Sequence, residues 1–178
     1  MRWIKTVLVL APMALMSSPL LAEDPPASAP AKVEVIDFRK LKEVIPETLG
    51  GLKRSDLSGE KNSFGEFAMS MASAEFGEGD KTISLQITDY GSNNPMMAIV
   101  GQMGAMQMDR ETETGYEKSV KIEGNPGIEH YDNDDKSGGL TLFVGGRFLI
   151  QLETNGLTSE ELQQVIGQLP VAKVAALK

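Results

Sequence analysis

Residues 81–90, KTISLQITDY, alternate without a break. Ile83, Leu85 and Ile87 fall on one side, and Thr82, Ser84, Gln86 and Thr88 on the other. A period of two marks a half-buried strand, because successive side chains leave a pleated backbone on opposite faces. EFAMSMASAEF, residues 66–76, reads as a preceding strand, with GEGD at 77–80 as the turn. The same logic recurs at 140–153, LTLFVGGRFLIQLE. Leu140, Leu142 and Val144 alternate into Gly145-Gly146, and Phe148, Ile150 and Leu152 alternate out of it. Strands joined by tight turns pair antiparallel, so the chain is constrained to an antiparallel sheet with one face on a core.

Helical signals are fewer. Asp37 is placed to cap a helix carrying Leu41, Val44, Ile45 and Leu49, ended by Pro46 and Gly50-Gly51. Thr158 with Glu161 forms a capping box, flanked by Leu157 and Leu162 at the staple positions. Leu162, Val165, Ile166 and Leu169 then make one apolar stripe, closed by Pro170. LKRSDLSGEKNSFG, residues 52–65, reads as a polar connection. YEKSVKIEG and PGIEHY read as two short strands around a Gly-Asn-Pro-Gly turn, and VAKVAALK as a weakly patterned tail. The expected fold class is α+β: a central antiparallel sheet built from hairpins, flanked by two or three helices.

The N-terminus reads as an address. Arg2 and Lys5 precede an apolar run from Val7 to Met16, and a small residue, Ala22, stands before acidic Glu23. That layout predicts a signal peptide over 1–22 with cleavage near Ala22, and hence a periplasmic or secreted protein. The apolar run is short and holds Pro12, which argues against a membrane span; an uncleaved anchor is the alternative. Residues 23–33, rich in Pro and Ala, read as a disordered linker, and 34–178 as one domain. Losing 1–22 removes two of the 17 basic residues and none of the 25 acidic ones, leaving a net charge of −10. Such a charge opposes binding to nucleic acid. Without cysteine the chain has no thiolate nucleophile, and its core must stand without disulfides.

Five methionines crowd into MMAIVGQMGAMQM, residues 96–108. On a helical wheel Met96, Ile99, Val100, Met103 and Met106 share one arc, while Gly101, Gly104 and Ala105 lie opposite between Met97 and Met108. Only Gln102 and Gln107 are polar, so the segment predicts a helix buried on most sides. The alternative is a soft copper(I) site on Met96, Met103 and Met106, with Met69 and Met71 as further thioethers. Asn133, Asp135 and Ser137 have the one-three-five spacing of a calcium loop, with Gly138 at the sharp turn. The twelfth position is Val144 where a bidentate Glu is needed, so a solvated hairpin loop is expected there. His130 is the single histidine; a strand through GIEHY puts it on the face of Ile128, away from Glu129 and Tyr131. Glu111 and Glu113 are spaced for acid–base work but stand among charged and polar neighbours. Arg147 after the double glycine is a candidate anion contact or a solvated turn residue.

Several phrases occur in a telling order: VIPETLGGLKRSD, SMASAEF before ISLQITDYG, ETETGYEKS, IEGNPGIEHYD, GGRFLIQLE and TSEEL. Together, over roughly residues 36–177, they resemble a group of exported bacterial proteins with a PsbP-like α/β sandwich. The resemblance implies a central antiparallel sheet with helices on both sides, and an accessory or binding role. It carries no catalytic residues and no cofactor. The expectation is therefore a non-enzymatic periplasmic or secreted module that binds another envelope protein. The alternatives are a small-ligand or copper-binding protein using the methionine segment and, with no nucleophile and base in sight, a hydrolase.

Overall fold

The computed structural model describes residues 34–64, 67–91, 97, 102 and 107–177. The strands, in chain order, are β1 (Thr48–Leu49), β2 (Leu52–Phe64), β3 (Phe67–Glu78), β4 (Lys81–Asp89), β5 (Asp109–Glu111), β6 (Gly115–Ile122), β7 (Asn125–Asp132), β8 (Ser137–Val144) and β9 (Phe148–Asn155). All pair antiparallel into one sheet, ordered β1-β2-β3-β4-β9-β8-β7-β6-β5. Two meanders, β1 to β4 and β5 to β9, are thus joined at the centre by the β4–β9 ladder. The short helices are α1 (Phe38–Val44), α2 (Ser159–Ile166) and α3 (Val171–Ala175).

Register turns the alternating sequence into layers. Ala74, Leu85, Leu152 and Leu140 lie side by side across β3, β4, β9 and β8, and Ala72, Ile87, Ile150 and Leu142 form the next row. All eight are essentially inaccessible. Against this face α1 packs on β2 and β3, and α2 and α3 pack on β8. Leu41, Leu162, Val165, Val171 and Val174 carry the helices into the same core. The other face bears Ser73, Gln86, Gln151 and Thr141 along its middle row, all partly exposed. One face dry and one wet is what the period-two pattern requires.

The expected α+β sandwich flanked by two or three helices, in the PsbP-like layout, is overturned. Strands take 55% of the described residues and helices 17%. Three misreadings account for the difference. The polar stretch 52–64 is not a connection but the 13-residue strand β2. It lies near the sheet edge with one face in water, so it needs few apolar residues; among its described side chains Leu52 and Leu57 reach the core. Its partner β3 supplies the ladder that its own pattern does not announce. The charged run Asp109–Glu111 is likewise an edge strand, β5, paired with β6. Finally, the turn between β6 and β7 is Glu123-Gly124, with φ of 49° and 82°. Two consecutive positive φ values make the tight hairpin, and Asn125 and Pro126 belong to the strand behind it. The tail after Pro170 forms α3, held by buried Val171 and Val174.

Both sequence caps are present. Asp37 accepts from the Arg39 N–H at 2.8 Å. Thr158 Oγ1 accepts from the Glu161 N–H while Glu161 Oε2 accepts from the Thr158 N–H, which closes the capping box.

Candidate interaction surface

Chemistry-bearing side chains gather first at two buried carboxylates. Asp89, at the end of β4, is fully buried. Its Oδ2 accepts from the Ile36 N–H at 2.7 Å and from Arg147 Nη2 at 2.8 Å. Its Oδ1 accepts from the Gly91 N–H and from Arg147 Nε, each at 2.7 Å. Arg147 also donates to the Glu34 carbonyl. The hydrogen bonds it donates to Asp89 hold the guanidinium pKa above its ordinary value. Arg147 is therefore mostly buried and committed to Asp89 rather than offered to an external anion. It forms a bidentate clasp that ties the β8–β9 turn to β4 and to the chain entering α1.

Glu129, in β7, is the second. It is 2% exposed, and three donors converge on Oε1: Tyr116 Oη at 2.6 Å, Gln163 Nε2 at 2.6 Å and Lys118 Nζ at 3.3 Å. Lys118 lies over the Tyr116 ring at 4.4 Å, and Tyr116 Oη meets Ser159 Oγ at 3.2 Å. Burial, then the hydrogen bond to Glu129, raises the Tyr116 pKa above 10.0, so its phenol stays protonated. Beside it Tyr131, which donates to the Leu157 carbonyl at 2.8 Å, is raised in the same way, chiefly by burial. The network joins β6 and β7 to α2 and the chain before it, and it commits these groups to one another.

The residues singled out in the sequence scatter. Met96, Met103 and Met106 lie outside the described residues; Met97 is helical and buried, and Gln102 is helical and exposed. Met69 and Met71 share a face of β3, and Met69 is 36% exposed. In the loop after β7, Asp132 Oδ1 accepts from the N–H groups of Asp134 and Asp135. That is an Asx-type turn organised by Asp132. Asn133 donates its N–H to the Thr114 carbonyl, and Ser137 enters β8 opposite Asp132. His130 sits half-exposed 3.7 Å from Glu153 on the open face. Glu111 and Glu113 are exposed. Among the described residues no group of three or more His, Asp or Glu could hold a metal ion.

Two clefts accompany these elements. One, of about 270 Å³, lies where β5, β6 and β7 end, between Arg110, Thr114, Tyr116 and Asp132. The other, of about 280 Å³, lies between Gly51, Leu52, Lys81 and Glu161. The Lys81–Glu161 ion pair spans its wall at 2.5 Å.

The most distinctive surface is the β2–β3 hairpin. β4 ends at Asp89, opposite Ser70. The pairs Asn62–Met69, Ser63–Ala68 and Phe64–Phe67 continue past that point as a two-stranded arm. Phe67, 57% exposed, and Met69 are the large apolar side chains left open among the described residues, and they alternate along one face of the arm. β1 pairs only with Leu52 and Lys53, so beyond them the outer edge of β2 faces no strand in the sheet order. Sequence reading missed this surface because β2 looks like a loop; the trace it left is the aromatic pair Phe64 and Phe67 around Gly65-Glu66.

Comparison with family models, with curated proteins and with solved structures gives no match for this chain. Among the described residues no helix is long and apolar enough to cross a membrane.

Proposed function

We propose that this chain is an exported, non-enzymatic accessory module that binds another protein of the bacterial envelope. The observation that carries the reading is the β2–β3 arm: a hairpin that runs on past the end of β4, with exposed Phe67 and Met69 on one face and an outer edge that no strand pairs among the described residues. The other large apolar side chains among the described residues are buried or partly buried, and leaving two adjacent ones in water costs burial energy that a partner would recover. The sequence supports the location through its N-terminal layout, a basic start, an apolar run and Ala22 before an acidic mature chain. The buried polar clusters fit the same role, since Asp89, Arg147, Glu129 and Tyr116 hold the sheet and helices in place.

The test is site-specific photo-crosslinking in the native host, with the reactive group at Phe67 and, as a control, at exposed Glu153 on the open sheet face. A defined protein adduct at Phe67 and none at Glu153 is the expected result. A turnover activity in the purified protein that survives changes to the arm, with no adduct at Phe67, would overturn the assignment.

A further inference from the structure

We propose that the outer edge of β2 accepts an extended segment of the partner as an added strand, and that it selects a segment whose acidic and basic residues alternate. The inference rests on the binding-module reading and names the surface and the chemistry of the partner.

Leu57, Gly59 and Lys61 of β2 stand opposite Ala74, Ala72 and Ser70, all buried on the helix face. Asp56, Ser58 and Glu60 stand opposite Glu75, Ser73 and Met71, on the open face. The stretch from Asp56 onward, whose outer edge no strand pairs among the described residues, therefore carries its base on one face and its acids on the other. On the helix face, α1 and its cap add Arg39, Lys40 and Lys42 against Asp37 and Glu43, a surplus of one positive charge. The Lys42 stem lies over Gly59, as does Phe38, so α1 sits directly above the edge strand with exposed Arg39 and Lys40 beside it. Two acids share that element: Asp37, which Arg39 engages at 3.1 Å and whose pKa is lowered first by the Arg39 N–H and in smaller part by Lys61, and exposed Glu43.

The open face has the opposite imbalance. Asp56 is directly across from Glu75, an arrangement of like charges that weakens an antiparallel pair. Ser84 Oγ donates to Glu75 at 2.8 Å but brings no charge. A basic residue on an incoming strand, next to Asp56, would relieve that repulsion, and an acidic one next to Lys61 would meet Lys42 as well. Because neighbouring side chains of a strand point to opposite faces, both demands together specify acid–base alternation. Main-chain hydrogen bonds to the edge would supply affinity and the charges would supply register.

A second copy of this chain does not fit. Two β2 edges paired antiparallel with their faces in line would set acids against acids or neutral residues, and Lys61 against Lys61 or neutral residues. The bulge at Arg54/Asp56 and the charges along the edge act against self-association in the usual way.

The experiment uses the isotope-labelled protein and two synthetic peptides of roughly ten residues, the length of an ordinary strand. Both contain Thr, Val, Glu and Lys in equal numbers; one alternates Glu and Lys, and the other groups them in blocks. The alternating peptide is expected to shift the amide resonances of residues 56–64. The blocked peptide should bind more weakly, by about fivefold or more, and Lys61→Glu should weaken the alternating peptide by roughly threefold to tenfold at low salt. Lys61 is exposed, so the variant is expected to fold, and its spectrum reports that directly. Equal affinity for the two peptides, shifts confined to other strands, or a dimer formed through β2 would overturn the proposal. A partner that crosslinks to Phe67 but contacts nothing in 56–64 would also overturn it, while leaving the binding-module reading intact.

Discussion

Replacing Asp89 by alanine should be among the most damaging single changes to this fold. Asp89 is fully buried, and Arg147, its partner, has 19% of its side chain exposed. Removing one member of a buried ion pair costs about 3–5 kcal/mol, because the remaining charge has lost its counter-ion. Arg147 can recover some hydration through its exposed part, which points to the lower end of that range, about 3 kcal/mol. The Ile36 and Gly91 N–H groups also lose their acceptor. A buried donor left unbonded costs about 1–3 kcal/mol, and water entering the vacated space would offset much of that, leaving about 1 kcal/mol. The total is about 4 kcal/mol. In urea, with a slope of about 2 kcal/mol per molar, the midpoint should fall by roughly 2 M. Arg147→Met should cost a similar amount by stranding the Asp89 carboxylate, whereas the double variant should cost clearly less than the two singles together, by at least about 2 kcal/mol. A midpoint shift for Asp89→Ala worth under about 1 kcal/mol, or strict additivity in the cycle, would refute the clasp as a cooperative unit.

Other outcomes follow from the same structure. Tyr131→Phe removes the donor to the buried Leu157 carbonyl and should destabilise by about 1–2 kcal/mol in the same urea assay. Thr158→Ala should cost about 1 kcal/mol by opening the capping box of α2. Lys81, and then the Thr158 N–H, hold the Glu161 pKa below its ordinary 4.5. That contribution is present above pH 4.5 and fades as pH falls through the lowered value, so the stability gap between the parent and Glu161→Gln should narrow on acidification. For Tyr116 the sign is reversed: its folded pKa is raised above 10.0, so the phenol's contribution is intact below that pH and lost as pH rises through the raised value. Alkaline unfolding curves of the parent and Tyr116→Phe should therefore converge, and ultraviolet titration should show Tyr116 ionising later than a free tyrosine.

Legibility followed burial. Ile83, Leu85, Ile87, Leu140, Leu142, Ile150 and Leu152 announce their strands because each has one face in the core, so alternation survives in the sequence. The caps at Asp37 and Thr158 are equally plain, since a helix start satisfies its free N–H groups locally. Strand β2 left no such mark. Asp56, Ser58 and Glu60 face water, and Gly59 lies under Phe38 and Lys42 of α1, so neither face needs a run of large apolar residues. The turn at Glu123-Gly124 was placed too late because Gly-Asn-Pro-Gly has the composition of a turn, while the two positive φ values belong to the residues before it. The arm and its open edge were hidden with β2, and Arg147 passed for a solvated turn residue because its partner lies 58 positions away.

By itself the amino-acid order determined which central strands form, where two helices begin, the acidic charge of the chain and the layout of its N-terminus. Those properties depend on neighbours within a few positions, where side-chain alternation and local hydrogen bonding act. Only the tertiary structure decided that the polar stretch 52–64 is a strand, that Asp89 and Arg147 meet, and that Phe67 and Met69 stand open beyond the end of β4. An edge strand and a buried ion pair are both completed by partners distant in sequence, and a local pattern carries no record of them.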